Sequence, residues 1–278
     1  MRGAERTSGS TGTMHASVLR LSGALGIAAA LAGGCNSTDT GSGSGSGSTT
    51  NASATGVWSG SDATSGLAVT AIINAAGQAI FIRSDGVEFT GTADVSANTL
   101  AVEVDGYSNF PTTFADGSSH GIGTLNGMVT TASTMSATLM FTTDGNTALS
   151  GSWSLSYASI ANNASSTAAV SGNYTDNSND PLGGAVLSIS GSGVMTSQSA
   201  SNGCVLNGSV STTDSSHNVY EVAYSFASCT GSDAVLNGVQ FTGLATLNTA
   251  QSPAQLLVAV AGASSTASYG IVSTLSGS

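Results

Sequence analysis

The sequence predicts an all-β fold: two tandem antiparallel meander β-barrels or sandwiches of about eight strands each, roughly 110 residues apiece, behind a disordered N-terminal tether. Three observations carry this expectation. Apolar residues alternate with hydroxyl residues at period two, Gly, Asn, Asp and Ser break the alternation at short intervals, and the second half of the chain repeats the order of the first.

The alternation is clearest where Leu149, Gly151, Trp153, Leu155 and Tyr157 are interleaved with Ser150, Ser152, Ser154 and Ser156. A strand with this pattern has one apolar face and one hydroxyl face. Val87, Phe89, Gly91, Ala93 and Val95 alternate in the same way with Glu88, Thr90, Thr92 and Asp94. The pattern returns in Leu100, Val102 and Val104, and in Met135, Ala137, Leu139 and Phe141. One-sided strands joined by short polar turns pair antiparallel with their neighbours. No segment after Cys35 has the 3.6-residue apolar period of an amphipathic helix.

The repeat has an offset close to 117 residues. Ala68-Val69 matches Ala185-Val186, Phe89-Thr90-Gly91 matches Leu206-Asn207-Gly208, and Ala137-Thr138-Leu139-Met140 matches Ala254-Gln255-Leu256-Leu257. Val102-Glu103-Val104 matches Tyr220-Glu221-Val222, and Gly56-Val57-Trp58-Ser59 matches Gly172-Asn173-Tyr174-Thr175, each within one residue of that offset. Two halves follow, 56–161 and 168–278, joined by the polar stretch 162–167; the alternative is one larger β structure assembled from both. The repeat is too long for a β-solenoid, and the few aromatic residues argue against a membrane-spanning barrel with interfacial girdles.

Gly56-x-Trp58 at the head of an eight-strand half is similar to the opening of calycin-type barrels. The resemblance implies a closed meander in each half and no particular ligand. Under it, Trp58, Trp153, Tyr157, Tyr220 and Tyr224 are candidates to line a pocket, but their strand spacing fits ordinary core filling, which is the expectation.

Residues 1–34 read as a signal peptide: Arg2, Arg6 and Arg20 precede an apolar run at 21–31 that is too short to span a bilayer. Met14 is an alternative start. The run ends in Leu31-Ala32-Gly33-Gly34-Cys35, which resembles the lipobox of bacterial lipoproteins. That resemblance implies cleavage before Cys35, fatty acylation (palmitate) of its thiol and attachment to a membrane. Such boxes usually carry Leu where Ala32 stands, so a plain secretory signal is the alternative. Asn36 rather than Asp follows the cysteine, and the resemblance then implies the outer membrane. Residues 36–55, including GSGSGSGS at 41–48, form a Ser/Gly tether spanning roughly 25 Å for about 20 residues.

Lipid on Cys35 leaves Cys204 and Cys229 to pair in an oxidising compartment, with two buried thiols as the alternative. Strict alternation turns Cys204 inward and Cys229 outward, so a bond requires one of them to lie beyond its strand end, or a bulge. Closing a loop of about 25 residues is worth roughly 3 kcal/mol if the gain is chain entropy.

Cleavage also sharpens the charge. Three of four Arg and Glu5 precede Cys35, leaving Arg83 against 14 acidic residues, a formal net charge of −13. That balance makes nucleic acid and anionic lipid surfaces poor partners, since binding them needs clustered Lys and Arg.

The inventory for catalysis is thin: His120, His217 and no Lys. Gly117-Ser118-Ser119-His120-Gly121 matches G-x-S-x-G, but Ser119 falls in a polar loop without a strand-to-helix elbow, and both His are expected in solvated turns. Asp176, Ser178 and Asp180 present alternate oxygens suited to calcium, yet Pro181 stands where such loops place Gly, and a local Asx turn explains them equally well. Glu88, Asp94, Glu103 and Asp105 are expected on a solvated face. No catalytic residue and no cofactor is assigned.

Together these features indicate a noncatalytic cell-envelope lipoprotein displaying tandem β domains for an envelope protein or small ligand. The alternatives are a structural surface protein without a specific ligand and a secreted hydrolase, which requires Ser119 and a His beside a carboxylate. An aromatic-lined cavity favours binding; filled barrels with exposed strand edges favour a structural role. The anchor is tested by metabolic labelling with a fatty-acid analogue: the wild-type chain takes label and Cys35→Ala does not, and an unlabelled wild-type chain contradicts the anchor.

Overall fold

Strand by strand, the alternation becomes an inside and an outside. The computed structural model describes residues 50–176 and 181–278, so Cys35 and the signal segment lie outside the described residues. The first half runs β1 (Gly56–Asp62), β2 (Ala68–Ile73), β3 (Gln78–Arg83), β4 (Glu88–Ser96), β5 (Thr99–Tyr107), β6 (His120–Thr130), β7 (Thr134–Thr143) and β8 (Ala148–Tyr157). Each pairs antiparallel with the next and β8 returns to β1, which closes a barrel. A 3-10 turn at Ser159–Asn162 and a single helical turn, α1 (Thr167–Val170), lead to the second half. There β9 (Gly172–Asp176), β10 (Val186–Ile189), β11 (Val194–Gln198), β12 (Val205–Ser211), β13 (Tyr220–Ala227), β14 (Gln240–Asn248), β15 (Gln255–Ala263) and β16 (Ser268–Gly277) close a second barrel through β16 and β9. Of the two expected architectures, the barrel is the one formed.

Both interiors are filled by side chains. In the first, Phe81 and Phe89 stack obliquely on Trp153 at centroid distances of 5.5 and 5.7 Å, and Phe89 meets Phe141 edge-on at 5.3 Å. In the second, Tyr224, Phe226 and Phe241 form a triangle with separations of 5.4–5.8 Å. Trp58, Trp153, Tyr220 and Tyr224 are buried, as core filling requires, and Tyr157 is half-buried with its ring edge-on to Trp58. The outward positions of β8 are Ser150, Ser152, Ser154 and Ser156, all exposed, the opposite of the apolar outer band that a membrane barrel needs.

The five repeated segments fall, in order, on β1/β9, β2/β10, β4/β12, β5/β13 and β7/β15, the same positions in the two barrels. A shared detail reinforces the match. Trp58 Nε1 donates to the Ala54 carbonyl at 2.8 Å and Tyr174 Oη donates to the Val170 carbonyl at 2.9 Å. In each barrel the aromatic residue of the first strand thus anchors a buried residue four positions earlier.

The barrels pack side by side within one unit. Outward-facing Ile72, Ile80 and Ile82 of β2 and β3 meet Val219, Leu244 and Ala259 of the second barrel, with Ala161 of the connection sealed among them. Polar contacts fix the register. Asn74 Nδ2 donates to Glu221 Oε1 at 2.8 Å, the Phe110 N–H donates to the Gly270 carbonyl at 2.9 Å, and the Val272 N–H donates to Asn109 Oδ1 at 2.9 Å. The loop between β5 and β6 is therefore strapped along β16. Gly270 permits this approach, since a Cβ there would stand 2.6 Å from both Glu88 Oε1 and Tyr107 Cβ.

Cys204 and Cys229 are disulfide-bonded. Cys204 precedes β12 and Cys229 follows β13, so both lie beyond their strand ends. Ser228 adopts a left-handed φ of 61°, which breaks the alternation and turns Cys229 back into the core. Asn237 holds that turn by accepting from the Cys229 N–H at 2.8 Å and donating to its carbonyl at 3.0 Å. Joint replacement Cys204→Ser and Cys229→Ser should lower the unfolding free energy by about 3 kcal/mol. Urea denaturation measures this, and an unchanged midpoint would show that the Asn237 turn suffices.

Candidate functional site

Among the described residues, Ser119 and His120 bond to different partners. Ser119 Oγ donates to the Ser268 carbonyl of β16 at 2.8 Å, so the serine of G-x-S-x-G belongs to the strap between barrels. His120 is not in a solvated turn, because strand pairing with Tyr107 makes it the first residue of β6. Its ring is only 18% exposed, with Nδ1 3.1 Å from Asp144 and Nε2 3.2 Å from Asp105. Both nitrogens face carboxylates, and Ser119 bonds elsewhere. His217 does sit in a turn, between β12 and β13, 2.6 Å from Asp214. The Asp214 carboxyl is lowered to about 2, chiefly by the Ser216 hydroxyl and backbone and also by His217.

Asp176 ends β9 and is buried, while Ser178 and Asp180 lie outside the described residues. The calcium candidate is thus not described as a set. Among the described residues no group of three or more His, Cys, Asp or Glu is placed to hold a metal ion.

Asp94, Glu103 and Asp105 are exposed as expected, but Glu88 is fully buried and leaves that face. Alternation points it out of the first barrel, where the second barrel covers it. Its carboxyl faces Gly270 and the Ile271 backbone of β16, and among the described residues no side-chain donor bonds its oxygens. Burial raises its pKa well above the usual carboxylate range, with the Ile271 N–H offsetting only part of the effect. Tyr107, directly opposite on β5, is pushed up to about 12 by burial, then by Asp105 and Glu88.

A candidate binding surface lies on the outside of the first barrel. Cross-strand register aligns Asp105, Ile122, Thr142 and Ala148 in one row over β5–β8, and Glu103, Thr124, Met140 and Ser150 in the next. These side chains line an open groove of about 910 Å³, with Asp144 at one end. Ile122 is 63% exposed and Met140 is 68% exposed, high values for large apolar side chains, and Met128, further along β6 on the same face, is exposed as well. His120 bridges Asp105 and Asp144 beside it. Sequence reasoning passed over this pair, although Leu139-Met140-Phe141 carried the signal: three consecutive apolar residues in an alternating strand leave one pointing outward.

No protein-family model matches the chain, and no curated protein matches it. Any functional reading therefore rests on the chemistry of the site.

Glu88 makes a pH prediction. Its pKa is higher folded than unfolded, so between the two values the unfolded chain holds fewer protons and stability falls as pH rises. The stabilisation is complete below the ordinary glutamate value of 4.5 and is lost progressively above it, up to the folded value. Asp214 is shifted the other way, so its contribution changes only below the ordinary aspartate value of 3.8. Urea midpoints across a pH series should decline above that range in the wild type and stay flatter in Glu88→Gln; parallel profiles would contradict the assignment.

Proposed function

We propose that this chain is a noncatalytic cell-envelope lipoprotein, held at the outer membrane by lipid on Cys35, that presents a rigid pair of β-barrels as a binding module. The outer face of β5–β8 is its binding surface. The observation that carries the reading is the exposed pair Ile122 and Met140 in a groove of about 910 Å³, on a protein whose barrel interiors are already occupied by aromatic side chains.

Other features support the same reading. Side chains projecting from paired strands have fixed positions, so a surface built on β5–β8 is preorganised. Packing between the barrels fixes the two relative to each other within the module. Ser119 and His120 are engaged in ways that serve structure rather than acyl transfer. Closure leaves neither sheet with a free edge, which removes the edge-to-edge contacts expected of a structural coat.

A photo-crosslinking residue placed at Met140 tests the surface in intact cells, with the same residue at exposed Val194 of the second barrel as the control. A discrete adduct from position 140 that is missing from position 194 is expected. No adduct, or the same adducts from both positions, would overturn the assignment.

A further inference from the structure

We infer that the groove on β5–β8 takes a basic, apolar-bearing peptide segment of a partner protein, with Lys or Arg set against Glu103, Asp105 and Asp144 and an apolar side chain seated on Ile122 and Met140. This rests on the binding surface proposed above and specifies its occupant.

Spacing supplies the first argument. Glu103 and Asp105 stand two residues apart on β5, Ile122 pairs directly with Asp105, and Met140 lies two strands from Glu103 in the same row. With neighbouring strands about 4.8 Å apart, carboxylates and apolar groups are separated by roughly 5–10 Å across the face. A ligand that satisfies both must carry cationic and apolar groups at comparable intervals, as an amphipathic segment does. Closed pairing of β5–β8 leaves its backbone no strand edge to extend, so side chains must provide the recognition.

Charge supplies the second. Asp105 and Asp144 keep more than half of their side-chain surface in solvent, with 57% and 61% exposed. Among the described residues Arg83 is the one Lys or Arg; it lies on β3 and pairs with Asp85, away from the groove. The only basic ring beside the carboxylates is His120, at one end. The field over the groove is therefore that of a carboxylate cluster, continuous with an acidic protein. That field repels nucleic acid, anionic lipid and a second copy of the chain. A neutral apolar ligand would cover Ile122 and Met140 but would leave the solvent-exposed surface of the carboxylates unengaged.

The test titrates the full chain with labelled synthetic peptides and reads binding by fluorescence anisotropy. The probes are an alternating Lys/Leu peptide, a Lys/Ser peptide and a Glu/Leu peptide. The Lys/Leu peptide should bind most tightly and weaken with added salt. Glu103→Gln with Asp105→Asn should weaken it by up to about fivefold for each ion pair removed, the upper range for exposed pairs. Met140→Ser should also weaken it, whereas Asp214→Asn with Asp233→Asn on the second barrel should leave it unchanged. Urea midpoints of the variants verify that each is folded. Equal losses from the two carboxylate pairs would reduce the effect to net charge and overturn the proposal, as would no binding of the Lys/Leu peptide. If the Glu/Leu peptide binds at the groove instead, the occupant is wrong while the surface stands; if no probe binds and position 140 crosslinks to nothing, both fail.

Discussion

An eight-stranded barrel has room inside for packed side chains or one small ligand, and here side chains take that room, which shapes what the protein presents to its surroundings. In the first barrel Trp58, Phe81, Phe89, Phe141 and Trp153 occupy the interior; in the second Tyr174, Tyr220, Tyr224, Phe226 and Phe241 do the same. Aromatic rings fill such a volume with few side chains, which lets Gly and Ala occupy many of the remaining inward positions. With the interior spent on stability, recognition is left to the outer faces. Strand pairing then decides which outward residues become neighbours.

The outer faces have divergent fates. On β2 and β3 the outward Ile72, Ile80 and Ile82 are covered by the second barrel, so these strands are buried on both sides. On β5–β8 the outward residues remain in solvent, and there the apolar pair Ile122 and Met140 stands among carboxylates. Covering one face also buries Glu88 without a side-chain donor, an energetic cost that depends on pH. The row from Glu88 through Tyr107 to His120 crosses β4, β5 and β6, linking the covered face to one end of the groove.

Much of this was legible in the chain order. Period-two alternation located the inward residues of β4, β5, β7 and β8, and the offset near 117 paired the corresponding strands of the two barrels. Some misfits in the alternation also held information. The runs Ala71-Ile72-Ile73 and Ala79-Ile80-Phe81-Ile82 are apolar on both faces, the pattern of strands covered from two sides, and Met140 between Leu139 and Phe141 is a smaller instance. Glu88 and His120 offered no such sign. Each sits in a polar alternating position like its neighbours, and its environment comes from residues that are distant in sequence: Gly270 and Ile271 for Glu88, Asp144 for His120.

By itself, the sequence determined that the protein is all-β, that its second half repeats the order of its first, and which residues of β4, β5, β7 and β8 point inward. Those properties follow from local periodicity and spacing, which a strand expresses wherever it sits. Tertiary structure alone decided that the sheets close into barrels, that the barrels seal against each other, and that a left-handed Ser228 returns Cys229 to the core. It also decided which outward residues stay exposed. Alternation assigns a side chain to a face, but only the packing of one barrel on another determines whether that face meets protein or water.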